Sequence, residues 1–243
     1  MLTYQKLKKN FVRLLAATSL TAEEFENLLP AFTAAYEKPY PRHQTLEGKP
    51  RQRSIGGGMK GRLDNFAERL LFILVYQKTN PLQQMHGLQF GLSQAQANYW
   101  IHHLLPVLQQ ALDDLGHKPE RDGNQVAAHQ LASAGAPDLV IDGTERRRQR
   151  PQNDEMQKPH YSDKKKAHTD KNLLLVHEQT TKVAYLSPTV VGKKHDKKLA
   201  AEAQISYPAN AKLGQDTGFQ GYKPAGVLTT QPKKAERERV ECG

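Results

Sequence analysis

The chain has 243 residues, and 35 lysines and arginines against 25 aspartates and glutamates give it a formal net charge of +10. This balance favours an anionic partner, nucleic acid before an acidic membrane, although a basic protein without such a partner is an alternative. The single cysteine, Cys242, excludes a disulfide within the chain and favours a reducing compartment. The sequence has no apolar run of transmembrane or signal-peptide type, so we expect a soluble cytoplasmic protein with no membrane partner.

The first third of the chain has helical patterns on both sides of a segment rich in proline, glycine and basic residues. TAEEFENLLPAFTAAYEK opens with Thr21 and Glu24 at capping-box spacing, and apolar residues then recur on one helical face. Residues 38–61 have no apolar period and predict a loop or linker. A second helical pattern, RLDNFAERLLFILVYQK, begins at Arg62.

Residues 80–112 predict two helices joined by a short turn that contains glycine. Pro81 is suited to the first turn of one helix, Gly91 interrupts the pattern, and Ser93 is suited to cap the next helix. Two helices joined in this way form a helix-turn-helix, the arrangement that places one helix in the major groove of DNA.

The second of these helices has an apolar and a polar face. Its apolar face is predicted to pack in the bundle through Leu92, Ala97 and Ile101, with Tyr99 and Trp100 also in the core. Its polar side chains suit base edges and phosphates alike. The residues predicted to contact DNA are Ser93, Gln94, Gln96, Asn98 and His102. The alternative is an ordinary helical hairpin whose polar face is only solvated.

The pattern changes after a second linker at about residues 116–137. DLVIDG, KNLLLVHEQ and KVAYLSPTVV predict three strands, HDKKLAAEAQ predicts a helix, and AKLGQDTGF predicts a fourth strand that ends in a turn. This order indicates an α/β or α+β layer and not a bundle. We therefore expect a helical DNA-binding domain at residues 1–115 and an α/β domain at residues 138–243.

Two aspartates are predicted at strand ends. Asp142 closes LVID before Gly143, and Asp216 follows KLGQ. Carboxylate oxygens suit Mg²⁺ or Mn²⁺, and two such ions can support an in-line displacement at a phosphodiester. The residues predicted to meet DNA phosphates beside Asp142 are Arg146, Arg147, Arg148 and Arg150. The alternative is a salt-bridged surface turn, because aspartate is common in turns.

Four ordered blocks of the second half resemble one family. VIDGTERRRQRP, YSDKKKAHTDKNLLLV, YLSPTVVGKKHDKKLAAE and LGQDTGFQGY resemble the endonuclease domain of DDE-superfamily transposases, in the bacterial insertion-sequence branch akin to Harbinger elements. The helical region before them resembles the helix-turn-helix domain that precedes this endonuclease. The resemblance extends from about residue 22 to residue 234.

The resemblance implies a ribonuclease-H-like fold with three antiparallel strands, a helix and a further strand. It implies a transposase that cleaves and rejoins double-stranded DNA at element ends and in the target, with Mg²⁺ or Mn²⁺ as cofactor. By block, Asp142 matches the first catalytic and metal-binding acid, and Asp216 matches the second. A nucleoid-associated protein and a homodimer are compatible expectations.

Other polar residues receive separate interpretations. Asp196, after His195, is expected to begin a helix near the site and to complement its dipole. The lysines Lys164, Lys165 and Lys166 are expected to face DNA, with a solvated hairpin as the alternative. The acids Asp154, Glu155, Asp163 and Asp170 are expected to be loop charges.

The third acid is the main departure from the family. The family carries a glutamate on a helix a few dozen residues beyond the second acid, and the chain ends at Gly243. Glu236, Glu238 and Glu241 do not match that block, so we expect an endonuclease domain that lacks its C-terminal part. Cleavage would be impaired, because a missing ligand misplaces the ion and the attacking oxygen. The alternatives are a non-catalytic DNA-binding truncated transposase, acting as an inhibitor or a relic, and a basic helix-turn-helix regulator.

Overall fold

The computed structural model describes residues 1–39, 49–50, 52, 61–128 and 137–232. The chain divides into two compact units, Met1–His117 and Lys118–Gly243. Most of the predicted loop at residues 38–61 and the glutamates Glu236, Glu238 and Glu241 lie outside the described residues. Within the described ranges, none of the helices combines the length and the apolar character needed to cross a bilayer.

The regular elements described in the first unit are all helices. Its helices are α1 (Tyr4–Lys8), α2 (Phe11–Thr18), α3 (Ala22–Glu37), α4 (Phe66–Thr79), α5 (Gln83–Phe90) and α6 (Gln94–Asp114). Their apolar faces form one core, in which Phe25, Phe32, Leu70 and Leu104 are fully buried. The sequence prediction of a helical N-terminal part is therefore confirmed.

Local capping sets the starts of these helices. The Thr21 hydroxyl accepts from the Glu24 amide at 3.2 Å, and the Glu24 carboxylate accepts from the Thr21 amide at 2.8 Å, which confirms the capping box. Helix α4 begins at Phe66 and not at Arg62, because the Asn65 side chain accepts from the Glu68 amide at 2.8 Å and caps the helix there.

Helices α5 and α6 form the predicted hairpin. Gly91 ends α5 with φ of 70°, a left-handed conformation that glycine adopts at little cost. Ser93 caps α6: its hydroxyl accepts from the Gln96 amide at 3.2 Å, and the Gln96 side chain accepts from the Ser93 amide at 3.0 Å. Helix α5 starts at Gln83, two residues after Pro81, so Pro81 lies before the first turn.

The second unit is an α/β layer, as predicted. Its elements are β1 (Asp138–Arg147), α7 (Asp154–His160), β2 (Tyr161–Ser162), β3 (Ala167–His177), β4 (Val183–Leu186), β5 (Val190–Val191), α8 (Asp196–Glu202), β6 (Lys212–Gln215) and β7 (Leu228–Thr230). The sheet order is β2-β3-β1-β6-β7, and β4 and β5 also pair with β3. The pairs β1·β3, β3·β4 and β3·β5 are antiparallel, whereas β1·β6 and β6·β7 are parallel.

The sheet and α8 enclose the second core. Leu139, Ile141, Leu173 and Leu213 are buried between the strands and the helix. The segment predicted as a linker contains a 3₁₀ helix, Gly123–Ala128, whose Val126 is buried in the same core.

Some predicted loop charges lie in regular elements. Asp170 is part of β3, and Asp154 and Glu155 form the first turn of α7, so their interpretation as loop charges is wrong. Helix α7 falls between the predicted strands, and its start is fixed by the Asn153 side chain, which accepts from the Glu155 amide at 2.8 Å.

Acid should destabilise the first unit through His86. This side chain is fully buried against the rings of Phe72 and Phe90, and burial lowers the pKa of His86 from 6.5 to about 4. The folded unit therefore binds fewer protons than the unfolded chain between these values. It loses stability as the pH falls from 6.5 to 4, by up to about 3 kcal/mol.

We expect His86→Phe to remove most of this pH dependence, measured as the urea midpoint followed by the fluorescence of Trp100, the chain's single tryptophan. His102→Gln, at an exposed position of α6, is the control and should keep the dependence of the unmodified chain. The same pH dependence in His86→Phe would contradict this role of the buried imidazole.

Candidate active site

Asp142 and Asp216, here called the carboxylate pair, occupy neighbouring strands. Strands β1 and β6 run parallel with Ile141 opposite Gln215, so the two aspartates take the next position on each strand. Ile141 and Gln215 are buried. Because side chains alternate between the faces of a strand, the carboxylate pair lies on the other face, where both residues are exposed. Neighbouring strands lie about 4.8 Å apart, so the paired residues Ile141 and Gln215 bring the two segments that carry the aspartates next to each other.

The two aspartates differ in their place along the strand. Asp216 directly follows the last residue of β6, as predicted, and its carboxylate accepts from the Gly218 amide at 2.8 Å at the start of the 3₁₀ helix Thr217–Phe219. Asp142 lies in the middle of β1, so the prediction of a strand end is wrong there. The reason is the long partner strand β3, which pairs with β1 from Leu139 to Arg147.

A third carboxylate lies beside Asp216. Asp196 begins α8, as predicted. Its carboxylate occupies the space that a side chain at Gly143 would take, and its Oδ2 is 3.0 Å from the position of a Cβ on Gly218. Asp216 Oδ1 is also 3.0 Å from that position, so these two oxygens are at most twice that distance apart. Sequence reasoning placed Asp196 near the site and did not identify this contact.

A buried lysine connects Asp196 to the sheet. Lys171 on β3 lies opposite Glu145 on β1. Its ammonium is 3.3 Å from Glu145 Oε1 and 2.9 Å from Asp196 Oδ1, and it donates to the Lys194 carbonyl at 2.8 Å. The side chains of Lys171 and Glu145 are 6% and 7% exposed. These three charged residues, Glu145, Lys171 and Asp196, are called the Lys171 cluster below.

The surroundings keep Glu145 ionised. Burial by itself would raise the pKa of Glu145, but hydrogen bonds from Ser162 and Thr169 and the charge of Lys171 outweigh it, so the pKa is lowered. The hydrogen bond from the Thr169 hydroxyl to Glu145 Oε2 is 3.1 Å long. Glu145 is therefore held as a negative charge beside the Lys171 ammonium.

A pocket of about 340 Å³ opens over these groups. Its lining includes the Lys171 cluster and Asp216, together with the basic side chains of Lys164, Lys193 and Lys194. Asp142 is not among its lining residues. The pocket therefore combines carboxylates with lysines, the charge pattern that a metal ion and a phosphate group require together.

The donor chemistry fits a hard divalent ion. Across the described ranges, no three or more His, Cys, Asp or Glu side chains are grouped to hold a metal ion. Mg²⁺, however, is usually bound through one or two carboxylates, with waters and substrate phosphates as the other ligands. The carboxylate pair supplies two such carboxylates on adjacent strands.

The predicted arginines are partly engaged by the chain itself. Arg146 Nη2 donates to Asn172 Oδ1 at 2.7 Å, and Arg150 Nε donates to Gln157 Oε1 at 3.0 Å. Arg148 pairs with Asp170 at 3.0 Å, and Asp170 also lies 3.0 Å from His160 Nδ1. All four predicted arginines, Arg146, Arg147, Arg148 and Arg150, are nevertheless exposed.

The predicted lysines lie in the turn between β2 and β3. Lys164, Lys165 and Lys166 are all exposed, and Lys166 has φ of 50°. Lys164 also lines the pocket over the Lys171 cluster. The structure thus places one residue of this lysine run beside the carboxylates.

Helix α6 presents most of the predicted polar residues to solvent. Gln94 and His102 are exposed and Asn98 is half-buried, whereas Ala97 and Ile101 are buried as expected. The capping box occupies the side chains of Ser93 and Gln96. The placement of Tyr99 in the core is wrong, since it is 60% exposed and stacks on the His103 ring at 5.6 Å. Trp100 packs partly buried against the core.

Two family models match the chain. A model described as the helix-turn-helix of DDE superfamily endonuclease matches residues 61–114, and one described as DDE superfamily endonuclease matches residues 141–241. Together they cover more than half of the chain. The chain belongs to the DDE superfamily of endonucleases. No curated protein and no solved structure matches the chain.

This DDE endonuclease is a DNA-binding nuclease of the transposase type, which confirms the resemblance inferred from the four sequence blocks. The helix-turn-helix model spans α4, α5 and α6, and the endonuclease model begins at Ile141, the residue before Asp142. Endonucleases of this superfamily use divalent metals.

Enlarging Gly143 should disturb the site, because the Asp196 carboxylate fills the space beside its α-carbon. We expect Gly143→Ala to lower the free energy of unfolding of the second unit by roughly 1–3 kcal/mol through overpacking. The measurement is the urea midpoint followed by circular dichroism.

Gly214→Ala on β6 is the matched control. The nearest atom to a Cβ there is Val140 Cγ2 at 3.4 Å, an ordinary contact. Equal midpoints for the two variants would show that Asp196 does not pack against β1 as described.

Proposed function

We propose that this DDE endonuclease is an insertion-sequence transposase that cleaves and rejoins phosphodiester bonds at element ends in double-stranded DNA. The observation that supports the proposal is the register of β1 and β6, in which Ile141 pairs with Gln215, the residues that immediately precede Asp142 and Asp216. The family match and the basic charge of the chain support the same function.

The catalytic roles follow from the chemistry of the groups present. Asp142 and Asp216 would hold Mg²⁺ or Mn²⁺, which when bound activates a water or 3′-hydroxyl and stabilises the leaving oxygen. Lys164, Lys193 and Lys194 would hold the DNA backbone over the carboxylates, because cationic side chains neutralise phosphates. The predicted contacts of Lys165, Lys166 and the four arginines with DNA extend this surface.

Recognition of the element ends is assigned to the helix-turn-helix. Gln94 and His102 on α6 are the predicted contacts that are exposed and take no part in the capping box, and amide side chains suit the edges of bases. An insertion sequence has two ends, which supports a homodimer. Binding to bacterial DNA supports a location with the nucleoid in the cytoplasm.

DNA binding without cleavage is the second candidate function. It is favoured by the ion pair of Asp196 with Lys171, because this pair engages the carboxylate beside Asp216 and so opposes its use as a further metal ligand. It is also favoured because the described residues include no group of three or more side chains that could hold a metal ion. A protein of this kind would occupy element ends and inhibit transposition.

Nicking of DNA separates these two functions. We expect the chain to nick plasmid DNA that carries element ends in the presence of Mg²⁺ or Mn²⁺, and Asp142→Asn and Asp216→Asn to reduce the rate by roughly 100-fold or more through misplacement of the ion. The measurement is the conversion of supercoiled to open-circular plasmid.

Asp138→Asn is the matched control, since Asp138 lies on the same strand and pairs with Lys212 at 3.7 Å, away from the site. Its rate should stay within twofold of the unmodified chain. Nicking that is equal in Asp142→Asn would exclude the assigned role of the carboxylate pair. End binding without any nicking would favour the second function.

Specific DNA binding should depend on Gln94. We expect Gln94→Ala to weaken binding to element ends by about 1–3 kcal/mol, the usual contribution of a good base contact. Gln109→Ala is the control, because Gln109 is an exposed glutamine nearer the other end of the same helix. The measurement is a fluorescence titration at fixed salt with element-end and unrelated duplexes. The same loss in both variants would contradict readout by the start of α6.

A further inference from the structure

Lys171 is a buried cation to which the proposed function assigns no catalytic role. Its ammonium donates to the Lys194 carbonyl and lies within ion-pair distance of two carboxylates, those of Glu145 and Asp196. A lysine is rarely buried unless it is paired, since removal of its charge from water is costly. Its surroundings therefore hold it in one position.

The two acids of the Lys171 cluster are held differently. Glu145 has a second partner in Thr169 and faces the sheet, opposite Lys171 in the β1·β3 register. Asp196 comes from α8 and is 18% exposed, and its carboxylate lies beside Gly143 on β1 and Gly218 in the 3₁₀ helix Thr217–Phe219. The cluster thus ties the start of α8 to the centre of the sheet.

Asp196 lies between two glycines that are linked to the carboxylate pair. Gly143 donates its amide to Asp142 Oδ1 at 2.8 Å, and Gly218 donates its amide to Asp216 Oδ1 at 2.8 Å. The Asp196 carboxylate fills the side-chain space of Gly143 and lies beside Gly218. Asp196 is therefore packed against both backbone segments whose amides donate to the carboxylate pair.

We propose that Lys171 is a positioning residue: held by Glu145, it fixes the Asp196 carboxylate between Gly143 and Gly218 and so sets the spacing of Asp142 and Asp216. This inference rests on the proposed function, because the spacing matters only if the carboxylate pair binds an ion. Lys171 does not touch the reacting atoms; it acts through Asp196.

The difference between Mg²⁺ and Ca²⁺ binding is a readout that a merely structural role of Lys171 would not change. Mg²⁺ demands near-ideal octahedral geometry, whereas Ca²⁺ accepts six to eight oxygens in a flexible arrangement. A change in the spacing of the carboxylate pair should therefore weaken binding of Mg²⁺ more than binding of Ca²⁺. Loss of a direct ligand should weaken binding of both ions.

The first experiment needs no metal. Amide hydrogen exchange of the full chain, followed by NMR, should become roughly tenfold faster at both Gly143 and Gly218 in Lys171→Met, because their acceptor carboxylates lose a fixed position. Lys212→Met is the control, because Lys212 is an exposed lysine at the end of β6 that lies far from Asp216. In this variant the amide exchange rates of Gly143 and Gly218 should equal those of the unmodified chain.

The second experiment measures how much Mg²⁺ and Ca²⁺ each raise the melting temperature of the same proteins. We expect Lys171→Met to lose most of the shift produced by Mg²⁺ and to keep most of the shift produced by Ca²⁺, whereas Asp142→Asn should lose both. Because Lys171→Met leaves Glu145 buried without its cation, the double variant E145Q/K171M is measured as well and should show the same selectivity with less loss of stability.

Each outcome decides one point. Unchanged exchange at both glycines in Lys171→Met and in the double variant would overturn the inference, and the nicking assay would still test the proposed function. Faster exchange with no effect of either ion on the unmodified chain would show that the function has failed while the positioning by Lys171 holds. Loss of both ion shifts in Lys171→Met would overturn the positioning role, because the lysine would then be needed for ion binding itself.

Discussion

The parallel pairing of β1 with β6 is the constraint on which the site depends. Leu139 and Ile141 on β1 and Leu213 on β6 point into the core and fix which face each strand buries. Because side chains alternate, a register slip of one residue would turn Asp216 into the core or Leu213 out of it, and either change is costly. Burial of three apolar side chains therefore specifies where two carboxylates are exposed.

Bringing acids together in this way carries an electrostatic cost that the second unit offsets internally. Glu145, Asp196 and Asp216 line one pocket, and like charges at short range repel. Lys171 offsets part of this charge through its ion pairs with Glu145 and Asp196, whereas the ammonium of the pocket residue Lys194 pairs with Glu202. Asp142 and Asp216 are exposed, and neither takes part in an ion pair among the described residues. This arrangement suits a site that has to attract both a cation and a polyanion.

The features that the sequence predicted well are those set by neighbouring residues. Thr21 and Ser93 cap their helices with the residue three positions on, so their spacing alone identifies the helix starts. Asp216 closes its strand because the residues after it form a turn, which is again local. The order of strands and helix in the second unit followed from apolar runs and from the four family blocks.

The features that the sequence missed depend on distant partners. Asp142 appeared to end a strand because glycine follows it, but pairing with β3, some thirty residues away, carries β1 on to Arg147. The sequence around Asp170 predicts a loop charge, because nothing in that stretch shows that Arg148 and His160 approach it. Asp196 was expected near the site, yet its place between Gly143 and Gly218 required α8 to fold back onto the sheet.

The arginine run after Asp142 illustrates how one stretch of sequence can satisfy two demands. Arg146 reaches Asn172, and Arg148 reaches Asp170, so both bind side chains of β3 across the strand pair. These contacts hold the extension of β1 beyond the point where β6 ends, and that extension carries Glu145 to its position opposite Lys171. The same guanidinium groups stay exposed and retain donors for phosphate. The arginines thus support the carboxylate site from within the sheet, whether or not each of them also contacts DNA.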